Sequence, residues 1–404
     1  MKRTMLLASC MLLAPTSLLL AEPAGEGGNP GESTDGMDMQ RARAQMMPER
    51  GKRIAYTRKF DLSGLPSYEP KQKIAGTLRL WGSNYIMDGY VGRYWEEKFR
   101  EYHPDVQFEW RMKTSRGAVP SLVYGISDIG ITREINFGEL QLYQRYTDQD
   151  PLEIEIATGS YDVPGWSPGY GVLVHKDNPL DKITVEQLDG IFGAERSGGW
   201  DGTSWRPDYA RGPEKNIRTW GQLGLTGEWV EKRIHVYGLN LRYSQANDLS
   251  NRILKASDKW NEELRIYANY VNADGKLSRN MNEDLAEDKW GIGIFAAPTV
   301  NLHGDSSTSS LKLLPLAETS AGPYISYELE TLQDRSYPLY DELYAYAQAD
   351  PADPEVVEFL RFLVSREGQE LVMKDGKYLP LTAEVSKAQL AKLNAVARPQ
   401  SGGR

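Results

Sequence analysis

The segment from Gly76 to Met112 constrains the fold more than any other stretch. It opens with TLRLWGSN, an apolar and polar alternation ending at Gly82 and Ser83, the pattern of a half-buried strand. From about Met87 to Tyr102, Tyr90, Val91, Tyr94, Trp95 and Phe99 recur at helical spacing, and His103-Pro104 closes the run. DVQFEWRM then alternates Val106, Phe108 and Trp110 against polar partners. Strand, helix and strand in that order predict a parallel βαβ unit, whose functional loops lie at the carboxyl ends of its strands. Ser83 and Asn84 occupy one such loop. Thr114, Ser115 and Gly117 occupy the next, ahead of a helix predicted to start near Ala118.

A chain of 404 residues, 40% hydrophobic and 25% charged, is long enough for two domains or a two-lobed one. Its formal net charge of −9 gives no footprint for nucleic acid, yet does not forbid an anion held by backbone N–H groups at helix N-termini. The first 21 residues read as a secretory signal peptide: Lys2 and Arg3, an apolar run from Met5 to Leu20, and cleavage after Ala21. Cys10 sits inside that run in LASC, a lipobox-like string. The apolar run continues well past it, so a signal-peptide cysteine is the preferred reading. The mature chain then has no thiol for disulfides, catalysis or metal binding. Residues 22–70 form an N-terminal extension, rich at first in Gly, Pro and acid and read as a flexible tether; its second half, YTRKFDLSGLPSYEP, carries enough apolar side chains to dock on the folded body. Met37, Met39, Met46 and Met47 lack a nearby His or Cys and read as part of that tether rather than as a metal site.

Further along, SDIGI predicts a strand, Gly138 to Tyr146 a helix, and PLEIEIATGSY an extended segment able to cross between lobes. YGVLVHKDNPL is strand and turn, and ITVEQLDGIF is a helix capped by Thr184 with Gln187 at the capping-box position. An irregular Gly- and Trp-rich stretch, Gly193 to Pro213, precedes the strand RIHVYGL. A helix from Gln245 to Lys259, the strand WGIGIFAAP and the strand YPLYDELYAYAQ follow. DPEVVEFLRFLVSREGQELVMKDG reads as one helix with Gly376 at its cap, and a short helix from about Ser386 gives way to a tail, 386–404.

HKDNPLDKITVEQLDGIF, SDIGITRE, IRTWGQLGLTGEW, WGIGIF, and YPLYDELYAY with FLRFLVSREGQELVMKDGKYLPL occur in an order that resembles the phosphate-binding proteins of ABC transporters, the PstS-like branch of the type 2 periplasmic binding proteins. The resemblance spans about Thr77 to Leu381. It implies an α/β fold of two lobes joined by hinge crossover strands, with ligand in the cleft between them. Lobe 1 would be residues 76–158 and 311–385, and lobe 2 residues 159–310.

An oxyanion held without metal needs several N–H and O–H donors fixed around a dry cavity. Ser83, Asn84, Thr114, Ser115 and Gly117 offer them at two strand ends, although either turn alone is also an ordinary helix cap. By resemblance, Asp128 matches the family's phosphate-discriminating aspartate, which accepts a hydrogen bond from protonated phosphate and repels sulfate. The family's second-lobe arginine and Ser-Gly-Thr turn correspond to GLNLRYSQANDLSNRIL, where Arg242 and Ser244 remain and the glycine is missing. Arg116 and Arg133 are further cations, equally at home on a solvated surface.

His103, His175, His235 and His303 lack metal-ligand spacing, and neither a GxSxG elbow nor a P-loop is present. Among the aromatics, Trp200 and Trp205 in the irregular stretch are the best candidates for lining a cleft. The expectation is therefore an exported, periplasmic or secreted, non-enzymatic and monomeric binding protein without cofactor, delivering inorganic phosphate to an inner-membrane ABC permease. The alternative is a secreted or surface interaction protein of the same fold that no longer binds free phosphate.

Overall fold

The computed structural model describes residues 56–161, 163, 166–240, 244–267, 281–296, 310–351 and 353–396. The signal peptide, the methionine cluster and Arg242 lie outside these.

The predicted βαβ unit is present: β1 (Gly76–Gly82), α1 (Val91–Tyr102) and β2 (Val106–Arg111), with β1 and β2 parallel in the register Leu80 to Trp110. A one-turn helix, Tyr85–Asp88, fills the loop after β1. α2 (Ala118–Val123) leads into β3 (Ile129–Thr132), which lies parallel to β1 on its other side. After α3 (Phe137–Thr147), β4 (Leu152–Thr158) forms the far edge of this first five-stranded sheet. The alternation in TLRLWG buries Leu78 and Leu80 completely, where they meet Trp95 and Phe99 of α1. Phe99 in turn packs edge-on to Phe359 at 5.0 Å, and burying such a ring contributes roughly 1.5–3 kcal/mol.

The chain then crosses to a second five-stranded sheet that begins with β5 (Tyr170–His175). α4 (Val185–Phe192) starts with the expected capping box, Thr184 accepting from the Gln187 N–H at 3.0 Å and Gln187 accepting from the Thr184 N–H at 3.0 Å. A hairpin of β6 (Gly199–Asp201) and β7 (Ser204–Arg206) follows, then β8 (His235–Leu239), α5 (Ser244–Leu254), β9 (Arg265–Tyr267), β10 (Gly291–Ala296) and β11 (Leu311–Leu313). The sheet runs in the order β9-β8-β10-β5-β11.

The return to the first sheet falls at β12 (Glu342–Ala347), which inserts antiparallel between β3 and β4. This moves the expected boundary at residue 311. β11 hydrogen-bonds β5, Leu316–Ala317 pairs with Ile183–Thr184, and Tyr327, Leu332 and Leu339 are buried in the second core. The two crossings run side by side: the Gly159 N–H donates to the Asp341 carbonyl at 2.6 Å, and the Tyr170 N–H to that of Leu339 at 2.8 Å.

Residues 56–70, the second half of the extension, are docked as their apolar side chains suggest: Tyr56, Leu62, Leu65 and Tyr68 are buried, and the Tyr68 hydroxyl meets His103 Nε2 at 2.7 Å. Two further boundaries differ from the sequence reading. The long C-terminal helix is two, α6 (Pro354–Leu363) and α7 (Arg366–Asp375), because the Ser365 hydroxyl accepts from the Gly368 N–H and starts a new helix. The short helix expected from about Ser386 is α8 (Ala383–Val396), and it belongs to the folded body rather than to a tail, with Ser386, Gln389 and Leu393 buried.

Candidate functional site

The C-terminal edge of the first sheet gathers most of the polar turns expected there. β1 ends at Gly82 with φ +139, where any Cβ would stand 1.9 Å from the Ile131 carbonyl oxygen, so only glycine lets the chain fold over β3. Ser83 follows, buried, its N–H donating to Ile131 at 2.8 Å. Asn84 is half-buried, and its amide is engaged by the Asp88 carboxylate one turn later. The Ser115–Gly117 turn packs against the ends of β1 and β3, with Thr114 accepting from the Arg116 N–H at 3.4 Å as it enters α2. Ser83, Ser115, Gly117 and the Thr132–Arg133 end of β3 thus share one edge, with Asn84 and Thr114 flanking them.

Asp128 is elsewhere. It precedes β3, on the opposite end of a four-residue strand, roughly 13 Å of extended chain from Thr132. There its carboxylate is taken up by Arg79, accepting from the backbone N–H at 2.8 Å, Nε at 3.1 Å and Nη2 at 2.5 Å. That environment is a scaffold contact within the first sheet. Ser244 opens α5, and its neighbour in the expected set, Arg242, lies outside the described residues.

The residue that the sequence reading left as optional occupies the centre. Arg133 is 8% exposed and stands between Asp341, at the crossing into β12, and Asp248 of α5, whose Oδ2 is 3.5 Å from its Nε. The Arg133 guanidinium also lies over the Tyr170 ring at 5.5 Å. Tyr170 donates to Asp248 at 2.6 Å; burial, aided by that carboxylate, pushes its hydroxyl well above the ordinary phenol range, so it stays a donor. One turn along α5 from Asp248, Arg252 reaches across to the Glu342 carboxylate and the Tyr340 carbonyl, with Glu134 Oε2 4.0 Å from its Nε. Burial pushes Glu134 up to about 7 against the opposing pull of Arg252. Two arginines and four carboxylates therefore join the edge of one sheet to the helix that follows β8 of the other.

This cluster lies between the edge of the first sheet and α5, which follows β8 of the second, and the sequence comparison decides the family. Residues 73–367 match the PBP superfamily domain. The chain belongs to that superfamily. Among its relatives is the phosphate-binding protein PstS of Pseudomonas aeruginosa, 26% identical over 333 residues that cover 81% of this chain and 90% of the relative. Similar solved structures include a possible phosphate-binding protein from Planctomyces limnophilus, 18% identical, TM-score 0.46, covering 81% of this chain and 100% of that one. An ABC-type phosphate transport receptor from Vibrio cholerae is 17% identical, with TM-score 0.46, over 75% and 99% of the two chains.

In this superfamily member the signal that would have found Arg133 was strand polarity. Arg133 follows the carboxyl end of β3, where functional loops belong, whereas Asp128 precedes the strand. Asp248 and Arg252 carried a second signal, since their spacing places both on one face of α5. Asp341 had none, being brought in by the return crossing.

Proposed function

We propose that the chain is an exported, non-enzymatic solute-binding protein that takes inorganic phosphate between its two sheets and presents it to an ABC-type permease in the inner membrane. Kinship with phosphate-binding proteins supports this reading. The observation that carries it is Arg133, buried at the strand edge that also holds Ser83 and the Ser115–Gly117 turn, and paired with Asp248, one turn into α5 from Ser244. Ser83, Asn84, Thr114, Ser115, Gly117 and Ser244, with Arg242, supply donors, and Arg133 supplies the charge. Asp248 and Asp341 beside Arg133 take the discriminating part first expected of Asp128: they disfavour fully ionised sulfate and can accept a hydrogen bond from a protonated phosphate oxygen.

A second reading draws on the same residues. Arg133 already has two carboxylates, so the cleft can hold itself shut and serve as the rigid body of a periplasmic or secreted interaction protein. Melting the mature protein with phosphate, arsenate, sulfate and molybdate separates the two. Stabilisation by phosphate and not by sulfate is the transport outcome, since a ligand that binds only the folded state raises its stability. No shift at millimolar phosphate leaves the interaction protein.

A further inference from the structure

Away from Arg133, the two halves also enclose a groove of about 580 Å³, inside the roughly 300–1,000 Å³ typical of small-ligand sites. Its aromatic wall is Phe137 at the start of α3, Trp200 and Trp205, with Phe137 and Trp200 rings 4.7 Å apart and Trp200 and Trp205 5.1 Å apart. Trp205 is 46% exposed, unlike most large apolar side chains here. The β6–β7 hairpin is built to hold it: a Cβ at Gly198 would lie 2.4 Å from the Trp205 ring, so the ring rests directly on main chain. The hairpin tip is fixed to the other half, Thr203 Oγ1 donating to Gln144 of α3 at 2.8 Å.

The polar wall is amide-rich. Asn247 and Asn251 stand one turn apart on one face of α5, and Asn136 faces them from the first half, its oxygen capping α3 at 3.0 Å and its amide nitrogen remaining as donor. Among the described residues, each cation of the wall has a carboxylate partner, two of them outside the lining: Arg116 with Glu139 at 3.6 Å, Arg196 with Asp189 at 2.6 Å, and within the wall Lys259 with Asp258 at 3.4 Å. These pairings favour an uncharged ligand over an anionic one. The half-exposed Trp205 ring, set edge-on to Trp200, with amides nearby that both donate and accept, suits an uncharged, hydroxyl-rich ring.

We propose that this groove is a saccharide site, lined by side chains other than those of the adjoining Arg133 cluster and independent of the phosphate reading, and that it takes a short neutral oligosaccharide stacked on Trp205. The test is calorimetric titration of the mature protein with cellotriose and with chitotriose, alongside Trp205→Ala and Asn251→Ala. Saturable binding of at least one trisaccharide is expected, about tenfold weaker in Trp205→Ala and measurably weaker in Asn251→Ala. Both substitutions sit outside the Arg133 cluster, so the response to phosphate should be unchanged. Absence of saturable heat with both sugars overturns the proposal, as does wild-type affinity in Trp205→Ala. If that variant fails to fold, wild-type affinity in Asn251→Ala overturns it equally.

Discussion

Asp128 and Arg133 flank the same short strand, and their fates differ completely. At the amino end of β3, Asp128 is held by Arg79 from the neighbouring strand and stays within one sheet. At the carboxyl end, Arg133 is buried among Asp248, Asp341 and Tyr170 and ties the two halves together. Both are charged, both border a buried strand, and only direction distinguishes them. In a parallel unit the carboxyl ends of strands open on the crevice while the amino ends are closed by the scaffold. The resemblance gave the discriminating role to Asp128, and this geometry puts that carboxylate at the amino end of the strand, bound to Arg79.

The largest effect that sharpens the contrast is on stability. Arg133→Gln leaves Asp248 and Asp341 buried beside an uncharged amide, and it should cost about 3–5 kcal/mol in denaturant unfolding. A loss below about 1 kcal/mol would mean that the cluster opens to water. Asp128→Asn removes a charge from a pair whose Arg79 side is 40% exposed, so the expected loss is smaller, about 1 kcal/mol, with selectivity for phosphate over sulfate unchanged. Eroded selectivity in that variant would restore Asp128 to the site. Ser83→Ala, which leaves the Ser83 N–H bond intact, should weaken phosphate binding by up to about tenfold, as expected for one hydroxyl donor.

Glu134 offers the smallest and most diagnostic change. Its folded-state value of about 7 lies above that of the unfolded chain, so between those values the folded protein holds the proton more tightly. Its contribution therefore favours folding at low pH and is lost as pH rises through about 7. Glu134→Gln should flatten that decline in melting temperature across the same window. An unchanged pH profile would place the carboxylate in water, away from Arg252.

Much of the architecture was legible because its signals are local. Thr184 and Gln187 announced a helix start, and the alternation in TLRLWG and DVQFEWRM announced the paired strands β1 and β2. Gly376 at φ +65 closes α7 as its position in KDG suggested. The errors arose where a partner distant in sequence decides. β11 is a short apolar run whose sheet depends on β5, more than a hundred residues earlier, so the return crossing was placed too early. The break between α6 and α7 was local but subtle, since apolar periodicity continues through it and only Ser365 reveals the new start. Of the site, the donors at Ser83 and Ser115 could be placed from strand ends. The pairing of Arg133 with Asp341 required knowing how the chain returns.

The most direct test of the account is a phosphate titration of melting temperature for the wild type, Asp128→Asn and Arg133→Lys side by side. Lysine keeps the charge that balances Asp248 and Asp341 while losing the planar fork that an oxyanion uses. The account predicts that wild type and Asp128→Asn rise together with phosphate while Arg133→Lys needs at least about tenfold more ligand for the same shift. A normal response in Arg133→Lys together with a lost response in Asp128→Asn would contradict it.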